Sequence, residues 1–162
     1  MTNAYLSLGS NIGKREKNLQ SAFKKISRLG KTVSSHIYKT EPWGRNDIPE
    51  FLNACVYIET ELDIKQLFEE LHSIEDNIGR KRKEKWGSRI IDIDLLISNQ
   101  LIFFSPQLTI PHPYLHQRNF YLKPLSEITK EETEPLTGKK IKTLLADCPD
   151  KKGVWRTGNI LQ

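Results

Sequence analysis

The sequence predicts an α+β fold in which one antiparallel sheet carries two helices on one face. The 162 residues are 37% hydrophobic and 28% charged, which suits a soluble domain with a core of its own. Strand-like and helix-like segments then follow one another in the order β-α-β-β-α-β. No run approaches 18 consecutive apolar residues, so no membrane span is expected.

The spacing of apolar residues defines each element in this order. Strands are expected at 4–9, 32–40, 51–62 and 90–97, and helices over 19–29 and 64–78. Gly30 and Gly79 follow the last apolar positions of the helices, as glycines at helix C-termini do. Two β-α-β halves of this kind predict the ferredoxin-like βαββαβ sandwich, with an antiparallel sheet and both helices on one face.

The remainder of the chain reads as a C-terminal addition to the same domain. A short strand at 100–104 and a Pro-rich turn precede helices expected near 119–128 and 138–147. We therefore expect a single domain over 1–162, with a core of about 1–128 and an extension of about 129–162. The pattern assigns no element to 149–162.

The net charge of +5 is concentrated in one segment. Residues 79–89, with Arg89 included, contain six basic residues and one acidic residue, and the other charges of the chain balance. Such a patch suits a small, highly charged ligand better than an extended polyanion. Two cysteines at no metal-binding spacing, and a start without a signal-peptide pattern, predict a cytoplasmic protein with reduced thiols.

The strand at 90–97 contains two acidic residues, Asp92 and Asp94. Side chains alternate along a strand, so the two aspartates share one face and the apolar residues Ile91, Ile93, Leu95 and Ile97 share the other. We expect the face with the aspartates to be free of helices. Two carboxylates about 7 Å apart repel each other unless a cation lies between them. Oxygen ligands suit Mg²⁺, and the nearby cations indicate a nucleotide polyphosphate. On the pattern alone, an exposed strand face paired with the neighbouring Arg and Lys side chains is an equally good interpretation.

Three further residues have both a functional and a structural interpretation. Phe51 and Asn53 share the face of the aspartates and would suit a flat heterocycle with a polar edge, or else a small second core. Glu75 lies near the apolar face of the second helix, where a carboxylate needs a partner. Pairing with a loop arginine is favoured over ligand contact. No P-loop signature occurs in the sequence, so P-loop chemistry is not expected.

Several long segments, in order, resemble the 6-hydroxymethyl-7,8-dihydropterin pyrophosphokinase family of folate biosynthesis. They are YLSLGSNIGKREKNL (5–19), YKTEPWG (38–44), FLNACV (51–56), GRKRKEKWGSRIIDIDLLI (79–97) and IPHPYLHQRNFYLKPLSEI (110–128). The resemblance implies a ferredoxin-like fold and transfer of pyrophosphate from ATP to the pterin hydroxymethyl group, which yields AMP and the pterin diphosphate. It also implies two Mg²⁺ ions and mobile loops that close over the substrates.

The resemblance further implies a role for particular residues. The two metal ions would be held by Asp92 and Asp94. The catalytic set would combine these aspartates with Arg80, Arg82, Trp86 and Arg89. Contacts with ATP would come from His72, Glu75, Lys83, Arg89, His112 and Arg118. The pterin would lie between Phe51 and Phe120, with Asn53 at its polar edge and backbone at Thr40 and Trp43 beside it. Residues 149–162 have no clear counterpart in the family.

Two alternatives remain open from the residues. A ferredoxin-like RNA-binding module would explain aromatic residues on an open sheet face beside a basic loop, but carboxylates on that face would repel RNA. Another Mg²⁺-dependent nucleotidyl or phosphotransfer enzyme would use the same aspartates. The expected partners are ATP and 6-hydroxymethyl-7,8-dihydropterin, with no nucleic acid and no membrane, and the chain is expected to be a monomer.

Overall fold

A computed structural model describes residues 1–80 and 87–162. The strands are Thr2–Ser10 (β1), Lys31–Ser34 (β2), His36–Thr40 (β3), Phe51–Thr60 (β4), Asp92–Ser98 (β5), Phe103–Phe104 (β6), Thr109–Ile110 (β7) and Val154–Ile160 (β8). The helices are Arg15–Ile26 (α1), Ile64–Ile78 (α2), Asn119–Ile128 (α3) and Ile141–Asp147 (α4), and a 3₁₀ turn spans Leu115–Gln117.

The main sheet has the strand order β5-β1-β4-β3-β8, and β2 also pairs with β4. Every one of these pairings is antiparallel. The first five strands therefore have the ferredoxin-like order, and the predicted fold class is confirmed. Strands β6 and β7 form a separate hairpin.

Helices α1 and α2 cover one face of the sheet with an aliphatic core. They contribute the buried side chains Leu19, Phe23, Leu67 and Leu71, which pack against alternate residues of β1, β4 and β5. Asp63 begins α2 with a capping box, and Gly79 ends it with a left-handed backbone conformation, φ 106°. These local signals explain why the predicted bounds of α2 coincide with the observed ones.

The opposite face is not free of helices along its whole length. Helices α3 and α4 pack there on a second core that contains Tyr5, Cys55 and Ile97 of the sheet. The extension has its own apolar stripe, and this stripe covers the sheet at the end away from Asp92. Only the other end of this face stays open for a site.

Two predicted strands differ in detail from the observed ones. The strand expected at 32–40 is broken at Ser35, whose hydroxyl accepts a hydrogen bond from the Cys55 amide at 2.9 Å. The β1–β5 register shifts between Tyr5 and Leu6, so Ile97 pairs with Tyr5 and belongs to the second core. The prediction that Ile97 shares a face with Ile93 is wrong, because an irregularity in the ladder reverses the alternation beyond it.

The last residues of the chain add an edge strand. Strand β8 pairs antiparallel with β3, with Thr40 opposite Val154 and Tyr38 opposite Arg156. The sequence pattern had assigned no element there. Among the helices of the described segments, none combines the length and apolar character needed to cross a bilayer.

Candidate functional site

Two cavities meet at the open end of the sheet, and they share a wall made by Asp92, Asp94 and Arg89. The first, about 550 Å³ of empty space, lies over β1 and β4 and is enclosed by the loop after β3 and the start of α3. The second, about 870 Å³, lies between the end of α2 and the loops on either side of β7. The aspartates are thus placed where ligands in the two cavities would meet.

The floor of the first cavity follows from the pairing of three strands. Asp92 on β5 lies opposite Gly9 on β1, and Gly9 lies opposite Asn53 on β4. A Cβ atom on Gly9 would come within 2.6 Å of Asn53 Oδ1. A glycine at this position therefore lets the Asn53 carboxamide lie on the sheet floor between the neighbouring strands.

Each of the two aspartates has partners that hold its carboxylate in place. Asp92 pairs with Arg80 through Oδ1 at 2.9 Å and with Arg89 through Oδ2 at 2.5 Å. Burial and the neighbouring Asp94 charge raise the pKa of Asp92, and the two arginines oppose this shift. Asp94 accepts a hydrogen bond of 2.5 Å from the Tyr121 hydroxyl. The repulsion between the two carboxylates is thus offset by two arginine side chains and one tyrosine hydroxyl.

Glu75 joins α2 to this arrangement. Its side chain is fully buried, and its Oε1 accepts hydrogen bonds from the Ile93 amide at 2.7 Å and from Arg80. Burial raises the pKa of Glu75 to about 7, against the attraction of Arg80. The sequence favoured pairing of Glu75 with a loop arginine, and the structure contains this pair, with Arg80. Glu75 also lines the second cavity.

The five residues predicted to contact a heterocycle all line the first cavity. They are Thr40, Trp43, Phe51, Asn53 and Phe120. Asn53 donates to Thr40 Oγ1 at 2.6 Å, which fixes the orientation of its carboxamide. The guanidinium of Arg118 lies 4.5 Å from the Trp43 ring centroid and is largely buried. Aromatic walls and one oriented amide suit a flat, hydrogen-bonding ring.

The second cavity contains several of the groups predicted for ATP. These are His72, Glu75, Arg89 and His112, and the predicted catalytic residue Arg80 lines the cavity beside them. His112 Nδ1 accepts from the Tyr114 amide at 3.1 Å, so in the neutral ring the proton is assigned to Nε2. Burial, followed by the Arg118 charge, lowers the pKa of His112 to about 4. The ring is therefore a neutral donor at pH 7.

Some predicted residues lie elsewhere, and some site residues were missed. Arg118, assigned to ATP from the sequence, lines the first cavity and not the second. Arg82, Lys83 and Trp86 lie outside the described residues. Tyr121 was not singled out, although its hydroxyl accepts from Arg118 at 2.6 Å while donating to Asp94. Its position three residues after Arg118, at the start of a helix, was the available signal.

Asn11 was also missed, although it connects the segments on either side of the first cavity. Its Oδ1 accepts from the Arg89 amide at 2.6 Å, and its Nδ2 donates to the Pro49 carbonyl at 3.1 Å. It therefore links Arg89, at the end of the basic segment 79–89, to the loop after β3. The only sequence signal was its position in the turn after β1.

The donor atoms at the shared wall fit a magnesium ion. Carboxylate oxygens from Asp92 and Asp94 are the ligand type that Mg²⁺ takes from proteins, usually one or two per ion. Within residues 1–80 and 87–162, no group of three or more His, Cys, Asp and Glu side chains is placed to bind a metal. Phosphate oxygens and water would have to complete the coordination shell, as they do in phosphotransfer sites.

The ferredoxin-like sheet carries a carboxylate pair between an aromatic cavity and a cationic one. This arrangement is typical of enzymes that transfer phosphoryl groups from nucleotides. Residues 5–130 match the sequence profile of the 7,8-dihydro-6-hydroxymethylpterin-pyrophosphokinase family. The chain belongs to this family, as the sequence resemblance predicted.

Named relatives and solved structures agree with this assignment. The 2-amino-4-hydroxy-6-hydroxymethyldihydropteridine pyrophosphokinase of Haemophilus influenzae is 41% identical over 138 residues, which cover 83% of this chain and 86% of that protein. The enzyme of that name from Methylorubrum extorquens is 38% identical over 96% of this chain and 99% of its own length. A Plasmodium falciparum HPPK-DHPS triple mutant, 18% identical, shares the fold with a TM-score of 0.74 over 90% of this chain and 44% of that one.

Proposed function

We propose that this chain transfers pyrophosphate from ATP to the hydroxymethyl group of 6-hydroxymethyl-7,8-dihydropterin, a step of folate biosynthesis. The observation that carries this conclusion is the meeting of two chemically different cavities at Asp92, Asp94 and Arg89. A transfer between two bound substrates needs both reacting groups at one point. The family to which the chain belongs supplies the identity of the two substrates.

The pterin would occupy the first cavity. Its ring would lie between Phe51 and Phe120, and the fixed carboxamide of Asn53 would face its polar edge. Thr40 holds that carboxamide by accepting from Nδ2, so Oδ1 and the second Nδ2 proton would be the groups that bond to the pterin. Trp43 would contribute through its backbone and through the stacked Arg118. The hydroxymethyl group would then point towards the aspartates.

ATP would occupy the second cavity, with its phosphates towards the shared wall. Arg89 and Arg80 would exchange part of their contact with Asp92 for phosphate oxygens, since both line the cavity. His112 would donate from Nε2 to a phosphate oxygen without adding charge. His72 and Glu75 would lie near the nucleoside, at the end of α2.

Asp92 and Asp94 would hold two Mg²⁺ ions. Bound there, the ions supply charge neutralisation for the phosphates and lower the pKa of the attacking hydroxyl. The aspartates would orient this charge at the point where the cavities meet. The reaction joins the hydroxyl oxygen to the β-phosphorus, the bond from that phosphorus to the bridging oxygen breaks, and AMP leaves with this oxygen while the hydroxyl proton passes to solvent. Arg89 and Arg118 would stabilise the charge that shifts between the groups.

The remaining residues predicted for catalysis, Arg82 and Trp86, and for ATP binding, Lys83, belong to the basic segment 79–89. Arg82, Lys83 and Trp86 lie outside the described residues and keep the roles that the family resemblance gives them. We propose that Arg82 and Lys83 contact phosphates and that Trp86 excludes water from the transferring group. Arg82→Ala should then slow turnover more than it weakens ATP binding, which stopped-flow and equilibrium titration would separate.

A product assay tests the proposed function directly. The protein is mixed with ATP, Mg²⁺ and the reduced pterin alcohol, and the phosphorus products are resolved by ³¹P NMR. AMP together with the pterin diphosphate, formed in equal amounts and only when the pterin is present, is the expected result. ADP would indicate transfer of one phosphoryl group, and free pyrophosphate would indicate nucleotidyl transfer. Either product would contradict the proposal.

The remaining attributes are proposals from the sequence. We propose a cytoplasmic monomer whose partners are its two substrates, with no nucleic acid and no membrane, and a single domain over 1–162. Light scattering after size exclusion measures the mass in solution, which should correspond to one 18.8 kDa chain. Binding of a short single-stranded RNA at physiological salt would favour the RNA-binding alternative.

A further inference from the structure

The segment 150–156 lies beyond residues 5–130, which match the sequence profile of the family, and it contacts both walls of the first cavity. One wall is the start of α3, which carries Arg118 and Phe120. The other is the end of β3 with the loop after it, which carries Thr40 and Trp43. The two walls are remote in sequence, so tertiary contacts must set the gap between them.

The segment is hydrogen-bonded to the start of α3 through Asp150 and Lys152. Asp150 Oδ2 accepts from the Asn119 amide at 3.1 Å, and Asn119 Nδ2 donates to the Lys152 carbonyl at 2.6 Å. Asp150 Oδ1 accepts from the Lys152 amide at 2.9 Å, which fixes the turn that makes both contacts. The N-cap residue of α3 makes no side-chain capping hydrogen bond. The carboxylate of Asp150, which is remote in sequence, accepts from the first amide of the helix instead.

The segment is also hydrogen-bonded to the other wall. The Glu41 amide donates to the Gly153 carbonyl at 3.0 Å, and the Gly153 amide donates back to Glu41 Oε2. Lys152 Nζ reaches Asn46 Oδ1 at 2.6 Å. Strand pairing continues this contact, with Val154 opposite Thr40, the residue that orients Asn53.

We infer that the segment 150–156 is a brace that sets the width of the first cavity, with Asp150 as a positioning residue for pterin binding. This inference rests on the proposed function. A flat ring gains most from two walls held at a fixed separation, because less conformational freedom is lost when it binds. The second cavity has no wall from this segment, so nucleotide binding should not depend on it.

Calorimetry on the full-length protein tests the brace. The wild type and Asp150→Ala are titrated with the pterin alcohol in the presence of Mg²⁺ and saturating non-hydrolysable ATP analogue, and separately with the analogue alone. Asp150→Ala should weaken pterin binding about tenfold and raise its KM, while kcat at saturating pterin and the Kd of the analogue are unchanged. Asp150→Asn keeps one acceptor oxygen, so its affinity for the pterin should lie between those of the wild type and Asp150→Ala. Asp147→Ala, a matched change on α4 where the carboxylate pairs with the exposed side chain of Lys139 at 3.1 Å, should behave as wild type.

The possible outcomes separate this inference from the proposed function. Equal pterin affinity in the wild type and both Asp150 variants would overturn the brace and leave the function standing. Equal losses for pterin and nucleotide would also overturn it, because a general loss of fold would then explain the result. If Asp150→Ala folds poorly, Asp150→Asn replaces it in the test. A melting temperature of Asp150→Asn equal to that of wild type would exclude a general loss of fold. A wild type that binds no pterin would overturn the function, and the brace with it.

Discussion

One face of the sheet is an apolar core at one end and a polar site at the other, although the same three strands form both. At the covered end, Tyr5, Cys55 and Ile97 lie under α3 and α4. At the open end, Gly9, Asn53 and Asp92 lie on the same strands and line or floor the cavities. The distance between the two ends is only a few residues along each strand.

The two ends differ in what their polar atoms contact. At the covered end, the Tyr5 hydroxyl donates to Glu132 Oε1 at 2.7 Å and the surrounding side chains are apolar. At the open end, two carboxylates lie beside each other and depend on Arg80, Arg89 and Tyr121. Burial of apolar surface stabilises the fold, whereas gathered like charges oppose it. We conclude that stability is concentrated at one end and chemistry at the other.

The largest effect should come from removing a carboxylate at the open end. Asp94→Ala should lower turnover about a thousandfold, equivalent to ~4 kcal/mol of transition-state stabilisation, because a metal ligand is lost. Its melting temperature should stay close to that of wild type, since the side chain faces a cavity. Asp147→Ala is the matched control in the same AMP-release assay. Near-normal turnover of Asp94→Ala at moderate Mg²⁺ would refute the metal assignment.

A core truncation at the covered end should do the reverse. Leu125 is fully buried in α3, one turn beyond Tyr121. Leu125→Ala should reduce the free energy of unfolding by about 3 kcal/mol through the cavity it leaves. Turnover of the folded protein should change little, and Leu136→Ala, at a 54% exposed position, should change neither quantity. Denaturant unfolding and the product assay measure the two. A selective loss of turnover would mean that the two ends are not separable.

A smaller and more selective effect is expected at Asn53. Asn53→Ala removes the amide from the floor of the first cavity and should weaken pterin binding by about 2 kcal/mol, ~30-fold. The affinity for the ATP analogue should be unchanged, because Asn53 does not line the second cavity. Asn159→Ala, where the exposed side chain donates to the Glu16 carboxylate, is the control. Calorimetry that found equal losses for both ligands would contradict the assignment of the cavities.

The smallest effect offers the closest comparison between the two ends. Tyr5→Phe and Tyr121→Phe each delete one hydroxyl that donates to a carboxylate, and the Tyr121 hydroxyl also accepts a hydrogen bond from Arg118. Each bond is expected to be worth about 1 kcal/mol. The loss should appear as reduced stability for Tyr5→Phe and as slower turnover, with a higher Mg²⁺ requirement, for Tyr121→Phe. Identical behaviour of the two variants in unfolding and in the Mg²⁺ titration would remove the distinction.

Most of the elements, the apolar faces of the two helices and the family could be predicted from the sequence alone. Helical spacing, Asp63 and Gly79 predicted α2 at its observed bounds, because caps and amphipathic periodicity act within a few residues. Alternation placed Asp92 and Asp94 away from the aliphatic core for the same reason. The family motifs then indicated which side chains to expect around them, and the five predicted pterin contacts do line one cavity.

Contacts between distant segments could not be predicted from the sequence, because they depend on how the segments pack together. The shift in the β1–β5 ladder turns Ile97 to the other face, and this depends on the partner strand and not on the residues of β5 alone. Tyr121 reaches Asp94 across 27 residues of chain, and Asp150 reaches Asn119 across 31. Such contacts leave no periodic trace in the sequence, because they arise from the packing of α3 and the extension on the sheet. Local signals therefore predicted what each segment becomes, whereas packing between segments decided what it touches.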